Sequence, residues 1–137
     1  MATAYRTLPD KAVLMSFFLD TATAVAQGAS DTDLGIQIVV PFDCYLIGGS
    51  YIADLDNTGG TAGNFTVVDD GDDLTDGDDL GKNTTTSGLL TVSDTTTKIA
   101  AGSVITVEAD ETNGASGNVE VSNIGVVLAL LPEDDTF

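Results

Sequence analysis

Val119-Glu-Val-Ser-Asn-Ile-Gly-Val-Val-Leu-Ala-Leu-Leu131 is the stretch whose reading decides the fold. Its first half alternates apolar and polar residues, the period of a strand with one dry face, and its second half is apolar throughout. A helix over 124–131 fits poorly, because Gly125 and the β-branched pair Val126-Val127 disfavour it. A strand that turns apolar on both faces leaves a sheet surface for the middle of a core or an interface. Pro132 is expected to stop it.

The same period of two runs back through the chain. Ile36, Ile38 and Val40 alternate with polar or edge positions, as do Phe65 with Val67 and Ile105 with Val107. Strands are expected near 12–19, 34–40, 44–55, 63–68, 88–93, 96–99, 103–109 and 118–131, separated by Gly, Asn, Asp and Thr. About eight short strands predict an all-β chain, a single β-sandwich of jelly-roll or other Greek-key form. The sandwich is expected over 12–132, after an extended N-terminal arm (1–11) and before a short tail (133–137). Gly48-Gly49 inside a long strand predicts a bulge or a close backbone approach. Cys44, the only cysteine, lies in Phe42-Asp-Cys44-Tyr-Leu46 and reads as a small buried apolar thiol.

Charge sets the limits on function. The chain carries 22 Asp and Glu against 4 Lys and Arg, with no His, for a formal net charge of -18 on 137 residues. Nucleic acid and anionic membrane surfaces are gripped with Lys and Arg, so both are excluded as partners. The apolar run after Lys11 has the outline of a leader, but Asp10 and Asp20 bracket it too closely, and it reads as a retained strand. No stretch approaches the roughly 18 consecutive apolar residues of a membrane span. The acids are 18 Asp to 4 Glu beside 19 Thr, a strongly hydrated surface suited to a halophilic or marine setting.

Catalytic equipment is sparse. Without His no Ser-His or Cys-His pair can form, and a general base near neutral pH would have to be a strongly perturbed carboxylate. The expectation is a protein that is not an enzyme. The densest local feature is Asp69-Asp-Gly-Asp-Asp-Leu-Thr-Asp-Gly-Asp-Asp79, where Gly-Asp-Asp-Leu occurs twice. Oxygen ligands on a Gly-flexed loop suit Ca²⁺, with Asp70, Asp72, Asp73, Asp76 and Asp78 as candidate ligands; the spacing departs from the EF-hand loop, and a solvated acidic loop is the alternative. The arm carries Arg6 and Lys11, half the chain's cations, with Tyr5 and Leu8 as apolar anchors, a partner-binding set that suits an acidic neighbour.

The order of features, a short arm, an apolar strand, a central Val-Val-Pro-Phe-Asp-Cys-Tyr-Leu-Ile-Gly-Gly-Ser-Tyr-Ile-Ala run (39–53), Ala-Ala-Gly-Ser-Val-Ile-Thr-Val (100–107) and a closing Val/Leu strand, resembles the small β-sandwich capsid decoration, or cement, proteins of tailed viruses of bacteria and archaea. The resemblance implies a structural virion protein, commonly a homotrimer, that sits on the outer capsid surface, contacts the major capsid protein and bridges adjacent capsomers. The long acidic loop departs from that pattern. The competing reading is a Ca²⁺-dependent or sugar-binding adhesive β-sandwich module from a halophile's surface or secreted protein.

Like-charge repulsion on this scale makes stability depend on screening. The Debye length shrinks from about 10 Å at 0.1 M salt to about 3 Å at 1 M, so the melting temperature is expected to rise between those NaCl concentrations. A flat or falling melting curve in the same titration would count against a salt-adapted surface.

Overall fold

The computed structural model describes residues 11–25, 32–57, 63–69, 71–80, 84–93, 95–111 and 119–133. Among these residues ten strands appear, in chain order β1 (Val13–Leu19), β2 (Thr23–Val25), β3 (Thr32–Val39), β4 (Cys44–Asn57), β5 (Gly63–Asp69), β6 (Asp72–Asp73), β7 (Asp78–Leu80), β8 (Thr84–Leu89), β9 (Val104–Glu111) and β10 (Val119–Pro132). They form two antiparallel sheets, one ordered β1-β10-β4-β8 with β2 also on β10, the other β3-β9-β5-β6 with β7 also on β5. The chain is an all-β sandwich.

The ten strands reduce to eight, because two pairs of short strands each continue along one partner. Residues 13–19 and 23–25 pair in succession with one strand, β10, and residues 72–73 and 78–80 pair with one strand, β5. The pairs then nest: β5 with β6 and β7 innermost, β4 with β8 next, β3 with β9, and β1 and β2 with β10 outermost. A long hairpin rolled so that successive pairs alternate between two sheets is the jelly roll.

Alternating burial identifies the inner faces. On one sheet Leu34, Ile36 and Ile38 (β3), Ile105, Val107 and Ala109 (β9), and Phe65 and Val67 (β5) are buried. They meet Leu46, Tyr51, Ala53 and Leu55 (β4) and Val121, Ile124, Val126, Leu128 and Leu130 (β10) from the other. Each fully buried Leu, Ile, Val or Phe contributes about 1.5–3 kcal/mol relative to exposure. Tyr51 spans the gap: its ring stacks on Phe65 with centroids 5.2 Å apart, and its hydroxyl donates to the Asp79 carbonyl at 2.8 Å.

Irregularities shape the long strands. Ala129 pairs with Gly48 but Leu130 with Leu46, so Ile47 is an extra residue on β4. Beside it Gly49 has φ 147°, and a β-carbon there would sit 2.1 Å from the Val127 carbonyl oxygen. Both expectations for Gly48-Gly49 therefore hold, and no side chain fits at 49. A second bulge, between Ser122 and Gly125, holds Asn123 at φ 49°, a left-handed conformation Asn tolerates. Asp54 accepts bonds from the Thr85 hydroxyl and from the Asn123 amide, the latter at 2.7 Å, and these hold its carboxyl below the usual carboxylate range.

Several expectations are corrected. The strand expected at 88–93 lies at Thr84–Leu89, leaving Leu90 buried beyond it. Residues 96–99 form no strand, and Ile99 only bridges Cys44, with mutual bonds of 2.9 and 2.7 Å. The stretch 69–79, read as a loop, contributes β6 and most of β7. The arm and tail boundaries rest on residues 1–10 and 134–137, which lie outside the described residues.

Cys44 is buried, as expected, and burial, with help from Asp43 and Asp69, pushes its thiol up to about 11 from 9.0. The folded state thus holds this proton more tightly than the unfolded chain. The contribution is intact below pH 9.0 and is lost as pH rises toward about 11. Urea melts across that window are expected to lose stability, with a smaller loss in Cys44→Ala, and a native thiol titration with a disulfide reagent should show no fast reaction. Rapid labelling of the native protein would contradict this burial.

Candidate functional site

The acidic stretch splits rather than converging. Asp72 and Asp73 lie exposed on β6, Asp76 is exposed, and Asp70 lies outside the described residues. Asp78 turns inward and is buried. Its carboxylate accepts the Thr91 backbone N–H at 3.1 and 3.2 Å and the Thr91 hydroxyl at 2.7 Å. The Asp76 N–H donates to the Thr91 carbonyl at 2.9 Å, so the two segments are clipped together on both sides. Among the described residues, no three carboxylates, thiols or imidazoles stand close enough to hold a metal.

The signal for this anchoring was in the repeat itself. Leu74 and Leu80, the fourth residues of the two Gly-Asp-Asp-Leu units, are both buried, and Thr75 is buried with its hydroxyl accepting the Val67 N–H at 3.0 Å. The acidic stretch is thus stapled to the core by its leucines. Burial, reinforced by the charges of Asp78 and Asp79, raises the Tyr51 phenol and keeps it protonated as donor to β7.

The more distinctive surface is the outer face of the β1-β10-β4-β8 sheet. Register sets Phe18, Gly125, Ile52 and Ser87 in one row across the four strands, then Ser16, Val127, Ser50 and Leu89 in the next, then Leu14, Ala129 and Gly48. None of these carries a charge. Phe18 (68 % exposed), Leu14 (58 %), Leu89 (51 %) and Ile52 (41 %) project from it. Between them lies a shallow depression floored by Gly125, Val127 and Ser50. A β-carbon on Gly125 would sit 2.8 Å from Ile52, so the glycine lets Ile52 lean across the floor. Among the described residues, those that line the depression are uncharged.

The opposite end of the same face is acidic. Asp20 and Glu120 are exposed there, Asp54 is half-buried, and the register sets Glu120 opposite Asp56. Of the predicted partner-binding set, Tyr5, Arg6 and Leu8 lie outside the described residues, and Lys11 stands exposed just before β1. Lys98 pairs with Glu133 at 3.4 Å and Asp43 at 3.9 Å, a surface cluster in which the hydrogen bond that Lys98 donates to Glu133 raises the lysine.

No known family matches this sequence, and no curated protein is similar to it in sequence. Solved structures do match in fold. A chain of the infectious bursal disease virus Gx strain structure aligns over 93 % of this chain with a TM-score of 0.51 and 14 % identity, and the alignment covers 33 % of that longer chain. A chain of an infectious bursal disease virus particle aligns at TM-score 0.48 and 12 % identity, over 90 % of this chain and 32 % of that one. A chain of the cyanophage Pam1 capsid asymmetric unit aligns at TM-score 0.47 and 13 % identity, over 92 % of this chain and 90 % of that one. This chain therefore spans about a third of the bursal disease virus chains.

Asp78 supplies the test of the acidic stretch. Asp78→Ala leaves the Thr91 N–H and hydroxyl without their carboxylate and is expected to cost about 2–3 kcal/mol in urea unfolding. Thr91→Val, which keeps the N–H, should cost less. The loss should be the same with and without added Ca²⁺. A Ca²⁺-dependent gain in the parent that Asp78→Ala removes would restore the metal-site reading.

Proposed function

We propose that this chain is a structural, non-enzymatic virion subunit that decorates the outer surface of a capsid and bridges neighbouring capsomers. The observation that carries the reading is the charge-free apolar half of the β1-β10-β4-β8 face on a jelly roll of net charge -18. A contiguous apolar surface on an otherwise highly charged domain marks a docking site for protein. The fold likeness to a chain of a virus structure supports the same reading. So does the arm, since Arg6 and Lys11 supply positive charge that suits an acidic neighbour in the shell. In this reading the subunits associate as homotrimers, the major capsid protein is the partner, and Tyr5 and Leu8 anchor the arm.

Co-sedimentation with shells stripped of this protein tests the proposal. The full-length chain is expected to pellet with them, and a chain lacking residues 1–10 should bind more weakly while keeping its circular dichroism and melting temperature. Light scattering of the free protein reports the oligomer. Failure of the full-length chain to bind stripped shells would overturn the decoration role, and equal binding by the truncated chain would remove the arm from it.

A further inference from the structure

β1 is an edge strand with three unsatisfied surfaces. Among the described residues it pairs only with β10, so its other edge presents unpaired backbone groups. Val-Leu-Met-Ser-Phe-Phe-Leu contains no charge, no Pro and no bulge, the devices by which natural edge strands avoid pairing. Its outward side chains Leu14 and Phe18 are the two most exposed outward apolar residues of its sheet. Its inward side chains, Val13, Met15, Phe17 and Leu19, are only half-buried, although Ile124, Val126, Leu128 and Leu130 beside them on β10 are fully buried.

We propose that β1 pairs antiparallel with β1 of a second copy about a twofold axis through Ser16, joining the two β1-β10-β4-β8 sheets into one. A twofold perpendicular to the sheet keeps inner residues opposite inner and outer opposite outer only in registers of this parity. Centred on Ser16, the strand matches itself. Leu14 faces Phe18 of the second copy on the outer side, while Met15 faces Phe17 and Val13 faces Leu19 on the inner side.

The flanking charges suit a second copy paired antiparallel. Among the described residues Lys11 stands before β1 and Asp20 after it, both exposed, and Asp10 precedes Lys11 in the sequence. Antiparallel pairing brings Lys11 of each copy to the end where Asp20 of the other leaves its strand, so this oppositely charged pair meets at both ends. A parallel arrangement would put like with like. Elsewhere the copies repel through their net charge, so the pairing should strengthen with salt. This contact does not depend on attachment to a shell, and a twofold contact can link threefold oligomers.

The test is sedimentation of the intact chain over a concentration series at about 0.1 M and about 1 M NaCl, the range over which the Debye length falls to about 3 Å. A concentration-dependent dimer, or a multiple of it, that tightens with salt is expected. Leu14→Lys or Phe18→Lys alone should weaken it at least tenfold, each bringing positive charge against an apolar neighbour. Leu14→Lys combined with Phe18→Glu should restore it, because the register then sets opposite charges face to face. Ser16→Cys, with the native thiol buried, should oxidise to a covalent dimer, whereas Thr85→Cys on the far strand should not. A monomer at every concentration and salt, or association that survives both single charge variants, or equal oxidation of the two cysteine variants, would overturn the proposal. Circular dichroism of each variant separates lost pairing from lost folding.

Discussion

The fold depends on placing β10 between β1 and β4. Val13 pairs with Leu130 and Asn57 with Val119, so the last strand is bound on both sides by segments made long before it. Until it arrives, the first strand has no partner among the described residues, and the inner faces of β3, β9 and β5 lack the Val, Ile and Leu residues that cover them. Non-local pairing of this kind must meet loop-closure entropy before contacts offset it, so folding is expected to be slow for the chain's size. The apolar run Val126 to Leu131 follows from that central position: alternate residues enter the core, while Ala129, opposite Gly48, is buried on the outer side as well.

Once β10 is in place, charge decides how the remaining surface is used. Two exposed charges 10 Å apart in water repel by about 0.4 kcal/mol before screening, against about 1.5–3 kcal/mol for each buried aliphatic side chain. Repulsion therefore modulates stability without competing for the fold. It acts instead on where another molecule can approach. Acids cluster on the β6–β7 stretch and at one end of the β1-β10-β4-β8 face, and the other end of that face is neutral. The bulge at Asn123 lies at the boundary, and Asp54, held by Asn123 and Thr85, is the last acid before it.

Much of this was legible in the sequence, for a physical reason that also explains the failures. Strands with one wet and one dry face advertise themselves by alternation, and β1, β3, β4, β5, β9 and β10 all fall close to their expected places. Thr84–Leu89 shows no such pattern because it is an edge strand with little buried on either side, and the apolar Leu89-Leu90 pair drew the expected strand toward residue 93. Asp78 was unreadable for the opposite reason. Among seven carboxylates of one composition, nothing local says which one turns inward; Thr91, which satisfies it, lies on the far side of β8. The outer face was invisible too, since its rows combine residues from four strands that only the register brings together.

The distribution of charge and the topology together constrain assembly. A chain with net charge -18 can approach another molecule of like sign only where its own field is weakest or where salt has removed it. The neutral half of the outer face satisfies the first condition, and it borders β1, an edge strand whose inward apolar side chains are only half-buried. Had the acids been spread evenly over both sheets, every approach would carry the same repulsion and none would be preferred. Grouping Asp20, Asp54 and Glu120 at one end of the β1-β10-β4-β8 face leaves its other end as a broad surface on which apolar burial can outweigh Coulomb repulsion, so the same partition that hydrates the domain also orients its contacts.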